Sequence, residues 1–239
     1  MTPAQKLDDI LSRIQHACTS SGRDPHTVSL LAVSKTFPLS DVLALHACNQ
    51  RAFGENYLQE ALEKITQLNE HVQNHPNEPP IEWHFIGPIQ SNKTKPIAEH
   101  FQWVHSVDRL KIAQRLSEQR PEHLPPLNVL VQVNTSGEES KSGVNPAEVI
   151  ELCTAIHTLP KLTLRGLMTI PSNTANLTTL RQEFLLCKQL KDTLNQNGLS
   201  ADTLSMGMSA DLELAIECGS TCVRVGTALF GNRSNPINQ

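Results

Sequence analysis

Eight short stretches, at 28–36, 52–56, 83–87, 101–106, 129–135, 163–170, 203–208 and 222–230, are apolar or β-branched almost throughout, and segments of helical periodicity lie between them. A strand that is polar on neither face must be buried on both, the condition of a parallel sheet screened by helices. Eight βα repeats in 239 residues match the usual ~250 of a closed barrel. A single (β/α)8 TIM barrel over residues 1–239 is therefore expected, ahead of a doubly wound open sheet. Proline and polar residues gather at 71–80 and 121–126, and neither stretch is long enough to join two domains.

Several helix starts are written in the sequence. Thr2-Pro3-Ala4-Gln5 has a hydroxyl to accept a backbone N–H, a proline at the first helical position and a glutamine to reach back, and Leu7, Ile10, Leu11 and Ile14 then share a face. Asn145-Pro146-Ala147-Glu148 repeats this logic. Asp108 is expected to cap a helix through Leu110, Ile112 and Leu116, and Leu180, Phe184, Cys187 and Leu190 mark another amphipathic segment.

Charge argues against a nucleic-acid partner: 20 Lys plus Arg against 24 Asp plus Glu give a net of -4 without a basic stripe. The amino terminus has no basic start leading into an apolar stretch, and no window approaches the ~20 apolar residues that span a bilayer, so a cytoplasmic protein with no membrane partner is expected. The six cysteines are scattered without a CxxC pair and read as buried, reduced thiols.

In such barrels the residues at the carboxyl ends of the strands build the active face. The first run ends Ser34-Lys35-Thr36, and alternation puts Lys35 on the face of Leu31 and Val33, expected to point into the lumen. An enclosed amine is more readily neutral and able to form a Schiff base with an aldehyde; a solvated strand-end lysine is the alternative. The last run carries Arg224 on the face opposite Val223 and Val225. Such an arginine needs an acceptor, either a carboxylate from another strand or a ligand's ring nitrogen or anion. Gly226 and Thr227 add close backbone approach and a hydroxyl where these barrels bind phosphate.

Ser209 follows the seventh run and is read as the cap of a helix over 210–218, a role compatible with a place in the site. Asp211 and Glu213 already complement the positive end of that helix, so an anion there relies on hydrogen bonds and the 226–227 loop. Asn56 is read as a helix cap with Gln59 reaching back, a site role being additional. His84, opposite Phe85, is read as a hydrogen-bonded core histidine. Gly137 to Ser142 fails the spacing of a phosphate loop, His71 and His75 lack the glutamate of a zinc protease helix, and His100 and His105 share no helical face, so no metal is expected.

The segments LLAVSKT, FGENY, WHFIGP, QSNK, KSG at 141–143, RGLM, LSMGMS and VRVGTALFG, in this order along nearly the whole chain, resemble the pyridoxal phosphate homeostasis proteins, single-domain relatives of the alanine racemase barrel. The resemblance implies that Lys35 holds pyridoxal 5′-phosphate as a Schiff base and that Arg224 faces the pyridine nitrogen. It further implies that Ser209, Gly226 and Thr227 bind the phosphate and that Asn56 belongs to the same cofactor site.

An arginine does not surrender its proton to the pyridine nitrogen, so the ring stays uncharged and is a weak electron sink. Alanine racemases take a second acid/base, a tyrosine, from a separate domain of the partner subunit; here the chain ends soon after Phe230, and Tyr57 is the only tyrosine. The expectation is a non-catalytic monomer that carries or buffers pyridoxal phosphate, with the cofactor and recipient apo-enzymes as partners. A racemase or lyase with Lys35 as base is one alternative. A Schiff-base aldolase without cofactor, suggested by the barrel alone, is the other.

Overall fold

A computed structural model describes residues 1–138 and 140–231. Glu139, within the expected loop 137–142, and residues 232–239, the tail of the expected domain, lie outside the described residues.

Eight parallel strands close into a barrel in sequence order: β1 (Ser29–Val33), β2 (Ala52–Glu55), β3 (Glu82–Phe85), β4 (Trp103–Val107), β5 (Leu127–Val133), β6 (Leu162–Thr169), β7 (Thr203–Ser205) and β8 (Cys222–Val225). The expected (β/α)8 architecture is present. β1 closes the ring by pairing with β8, with Leu31 opposite Arg224. Helix α1 (Pro3–Ser20) precedes the barrel, and α2 (Leu39–His46), α3 (Leu58–Asn74), α4 (Thr94–His100), α5 (Leu110–Gln119), α6 (Val149–His157), α7 (Leu177–Gln196), α8 (Leu212–Glu217) and α9 (Thr227–Phe230) follow the strands in turn.

The alternation of each strand sorts its residues between two environments. Leu30 and Ala32 join one apolar cluster with Ile10 of α1 and Val42 of α2, whereas Leu31, Leu130 and Met168 are equally buried but stand outside it, in the lumen. Removing each such side chain from water stabilises the fold by about 1.5–3 kcal/mol, so a one-residue slip of a strand, which exchanges its two faces, is strongly disfavoured.

The capping box of α1 forms as expected, with Gln5 N–H donating to Thr2 Oγ1 and Thr2 N–H to Gln5 Oε1. Asn145 accepts from Ala147 N–H and starts a short 3₁₀ turn that leads into α6. Other expected caps do not form. α5 begins after Arg109, and Asp108 takes the Arg109 guanidinium at 2.6 Å instead. α3 begins after Tyr57, so neither Asn56 nor Gln59 caps it, and Gln59 turns to Glu63.

β1, β7 and β8 end at least three residues before their apolar runs do because the backbone turns sharply. β1 stops before Thr36, which has φ 69°, and β7 stops at Ser205, two residues before Gly207 with φ 96°. The last run divides: β8 ends at Val225, and 227–230 is helical, with the N–H groups of Leu229 and Phe230 both donating to Gly226 O. α8 starts at Leu212 and not at 210, so Ser209 is not its cap; Asp211 precedes the helix and its carboxylate accepts from Met208 N–H at 2.6 Å.

Candidate functional site

At the carboxyl ends of the strands a cavity of about 350 Å³ opens, lined by Lys35, Asn56, Ser209, Arg224, Gly226 and Thr227 together with apolar walls from Val33, Phe37, Ile86, Met168 and Met208. Its size falls in the ordinary range of small-molecule sites, about 300–1,000 Å³. All six residues singled out from the sequence meet in this one cavity. Tyr57 is not among its lining residues; it is 38 % exposed beside the start of α3.

Lys35 is presented by peptides that are anchored on both sides. Before it, Ser34 Oγ donates to Glu55 Oε1 at 2.5 Å and Ser34 O accepts from Lys64 Nζ at 2.8 Å. After it, Thr36 N–H donates to Glu60 Oε1 at 2.6 Å. Lys64 ties the arrangement together, reaching Glu55 Oε1 at 2.8 Å and Glu60 Oε1 at 2.6 Å from a side chain that is only 5 % exposed. Burial pushes the Glu55 carboxyl above its usual range, and the Lys64 charge opposes that shift. Thr36, β-branched and at positive φ, stores backbone strain next to the amine, as functional sites often do.

Arg224 takes no carboxylate partner among the described residues. Its Nη1 donates to Ser205 O at 2.6 Å and to Ser205 Oγ at 2.7 Å, and its Nη2 donates to Thr169 O at 2.9 Å. Burial lowers its pKa from the usual arginine value, while Cys222 and Asp211 pull the other way. The three bonds clamp the guanidinium against β6 and β7, with the arginine facing the cavity as a fixed donor.

The opposite wall is built from turns. Arg13 of α1 reaches across to donate from Nη2 to Ser209 O at 2.9 Å while its fork holds Glu213, which is thereby withdrawn from any ligand beside α8. Phe37 stacks on Phe230 at 4.9 Å and closes the side where α9 meets the loop after β1. Gly87 lies so close to β2 that a Cβ there would stand 2.1 Å from Asn56 O, so only glycine lets Asn56 reach its place. A neighbouring groove shares Lys35 and Asn56 and is bordered by Lys141, whose ammonium is held by Pro171 O at 2.9 Å and Glu138 at 3.0 Å.

Sequence reasoning overlooked the supports: Lys64, Glu55, Arg13 and Ser205. Strand alternation offered a signal for Ser205, which sits in phase with Thr203 and Gly207; nothing local marked Lys64 or Arg13. His84 is a hydrogen-bonded core residue, as expected, bonded to Glu82 and His105. Five of the six cysteines are buried, and burial pushes Cys153 and Cys187 up to about 12, leaving both as thiols. The expected loop at 71–80 is helical as far as Asn74; His71 and His75 stack at 4.2 Å there, and His71 Nε2 lies 3.2 Å from Glu78. With His75 these two residues bring three ligand-capable atoms within 4.8 Å of one another on the outer surface.

The family model for the alanine racemase N-terminal domain matches residues 6–234. A pyridoxal phosphate homeostasis protein of Pseudomonas aeruginosa is 58 % identical over 232 residues, covering 97 % of this chain and 96 % of its own. One from Vibrio alginolyticus is 54 % identical over 229 residues, 96 % and 97 % of the two chains. Among solved structures, PipY of Synechococcus elongatus, with PLP bound, superposes with a TM-score of 0.82 at 33 % identity over 96 % of this chain and 100 % of that one.

Proposed function

Because the chain belongs to the pyridoxal phosphate homeostasis protein family, built on the alanine racemase N-terminal domain, we propose that it binds pyridoxal 5′-phosphate and carries or buffers it for other enzymes. The observation that carries this proposal is the cavity's donor set: one amine, one fixed guanidinium and a rim of Ser209, Gly226 and Thr227, between apolar walls suited to an aromatic ring. The curated relatives' name and the PLP bound by PipY support the same ligand.

On this proposal Lys35 holds the aldehyde carbon as a Schiff base, Arg224 addresses the pyridine nitrogen, the 209 and 226–227 turns receive the phosphate, and Asn56 borders the ring. The bound group supplies an electron-withdrawing ring; the chain's residues orient it and limit that chemistry. An arginine at the nitrogen keeps the ring unprotonated. Racemisation needs proton carriers on both faces of the cofactor, and among the described residues Lys35 and Arg224 are the only ionisable ones lining the cavity. A carrier therefore suits the site better than a racemase or lyase. We further propose that it works as a cytoplasmic monomer that hands the cofactor to apo-enzymes.

The test is optical. Wild-type protein given pyridoxal phosphate is expected to show a visible absorption band that borohydride abolishes and that Lys35→Ala lacks. A wild type that takes up no cofactor overturns the proposal, and α-proton exchange of alanine or serine at enzyme-like rates overturns its non-catalytic part.

A further inference from the structure

From four strands of the barrel, polar side chains meet end to end in the lumen. Arg224 Nη1 lies 2.7 Å from Ser205 Oγ, and Ser205 Oγ lies 2.9 Å from His105 Nδ1. His105 Nε2 lies 2.8 Å from His84 Nδ1, and His84 Nε2 lies 2.8 Å from Glu82 Oε1. The first four residues are buried, while the Glu82 side chain is 47 % exposed at the amino-terminal mouth of the barrel. The row thus crosses the lumen from the candidate site to a second cavity of about 260 Å³, lined by Glu82, His84, Trp103, His105 and Cys222.

We infer that Ser205, His105, His84 and Glu82 form a one-directional hydrogen-bond relay that positions and polarises Arg224, making these four positioning residues of the cofactor site. The direction follows from the two ends. A guanidinium can only donate, so Ser205 Oγ accepts from it and turns its own hydrogen to His105 Nδ1. His105 then carries its proton on Nε2 and donates to His84 Nδ1; His84 likewise carries its proton on Nε2 and donates to Glu82, which as a carboxylate can only accept. Each donor meets an acceptor with both imidazoles neutral.

Neutral imidazoles are also what the surroundings favour. Burial holds His84 and His105 below the usual histidine range, with Glu82 opposing the shift at His84, and with His84 and Arg224 adding to it at His105. Trp103 stacks on His84 at 5.3 Å and keeps its ring plane fixed. A positive head and a negative tail polarise every bond between them in the same sense, the arrangement in which hydrogen-bond chains strengthen one another.

The inference rests on the proposed cofactor at Arg224, and its tests separate the two. In protein without added cofactor, nitrogen-15 NMR of the imidazoles is expected to show His84 and His105 both protonated on Nε2; His105 protonated on Nδ1 overturns the relay whether or not the cofactor binds. In loaded protein, Ser205→Ala is expected to shift the absorption band and to speed cofactor release at least about tenfold, the scale of a hydrogen bond to a charged group. Glu82→Gln, on the exposed end and outside the site, is expected to shift the band in the same sense. Wild type that binds the cofactor, with both variants unchanged in spectrum and release, overturns the relay alone; wild type that binds none overturns the cofactor proposal and leaves the NMR result to decide the relay.

Discussion

Lys64 Nζ stands 2.8 Å from Ser34 O and so holds, from behind the barrel wall, the peptide that leads into Lys35. The same ammonium neutralises Glu55, whose side chain is 0 % exposed and whose second oxygen has no partner among the described residues. The Lys35 peptide is thereby placed by an ion pair whose two residues do not line the cavity.

Lys64→Met leaves the Glu55 carboxylate buried and uncompensated and is expected to cost about 3–5 kcal/mol in urea unfolding. Adding Glu55→Gln removes the stranded charge, so the double variant is expected to be more stable than Lys64→Met alone. A double variant that loses the sum of the two single costs shows that the pair is not coupled.

Gly207→Ala tests the turn after β7. Its φ is 96°, and a Cβ would stand 2.6 Å from the Ala215 Cβ. Strain of about 1–3 kcal/mol and a displaced Met208–Ser209 segment are expected, so both Tm and cofactor affinity fall. A variant equal to the parent in both contradicts the geometry.

Arg13→Ala separates affinity from stability. The Arg13–Glu213 pair is partly exposed, 31 % and 42 %, and such pairs add little to folding. Yet Arg13 is also what pins Ser209 O. Equilibrium dialysis of pyridoxal phosphate is expected to weaken roughly threefold to tenfold, the scale of one hydrogen bond. Unchanged affinity shows that the turn needs no support from α1.

The barrel and the inward placement of Lys35 were legible because both follow from period-two alternation, in which a strand buried on two faces announces the sheet and its last inward residue points to the mouth, whereas the cofactor roles of Asn56, Ser209, Arg224, Gly226 and Thr227 came with the family resemblance. What alternation does not encode is where a strand ends. The run 222–230 stays apolar across a strand and a helix, since both bury their side chains there, and only the hydrogen bonds to Gly226 O tell them apart. Caps were misread for a similar reason. Asn56, Asp108 and Ser209 are good capping residues whose side chains found other places, and Lys64 and Arg13 look like ordinary surface cations until the fold brings α3 behind β1 and α1 beneath the turn at 209.

The relay histidines predict how stability responds to acid. Both imidazoles are held below the usual 6.5 by burial, so below that pH the unfolded chain binds more protons than the folded one. Stability is then fully present above about 6.5 and is lost as pH falls toward the folded-state values, with a slope approaching about 1.4 kcal/mol per pH unit for each histidine. Glu82, whose carboxyl is lowered chiefly by its bond to His84, adds a loss in the same direction below the usual carboxylate range. His105→Gln removes one of these titrations. Urea unfolding at pH 7 and pH 5 is expected to show the wild type losing more stability between the two than His105→Gln does, although the variant starts lower. Equal losses in the two proteins would mean that His105 is already protonated in the folded barrel or that it titrates as it does in the unfolded chain, and either outcome contradicts a ring held below the usual histidine range by burial.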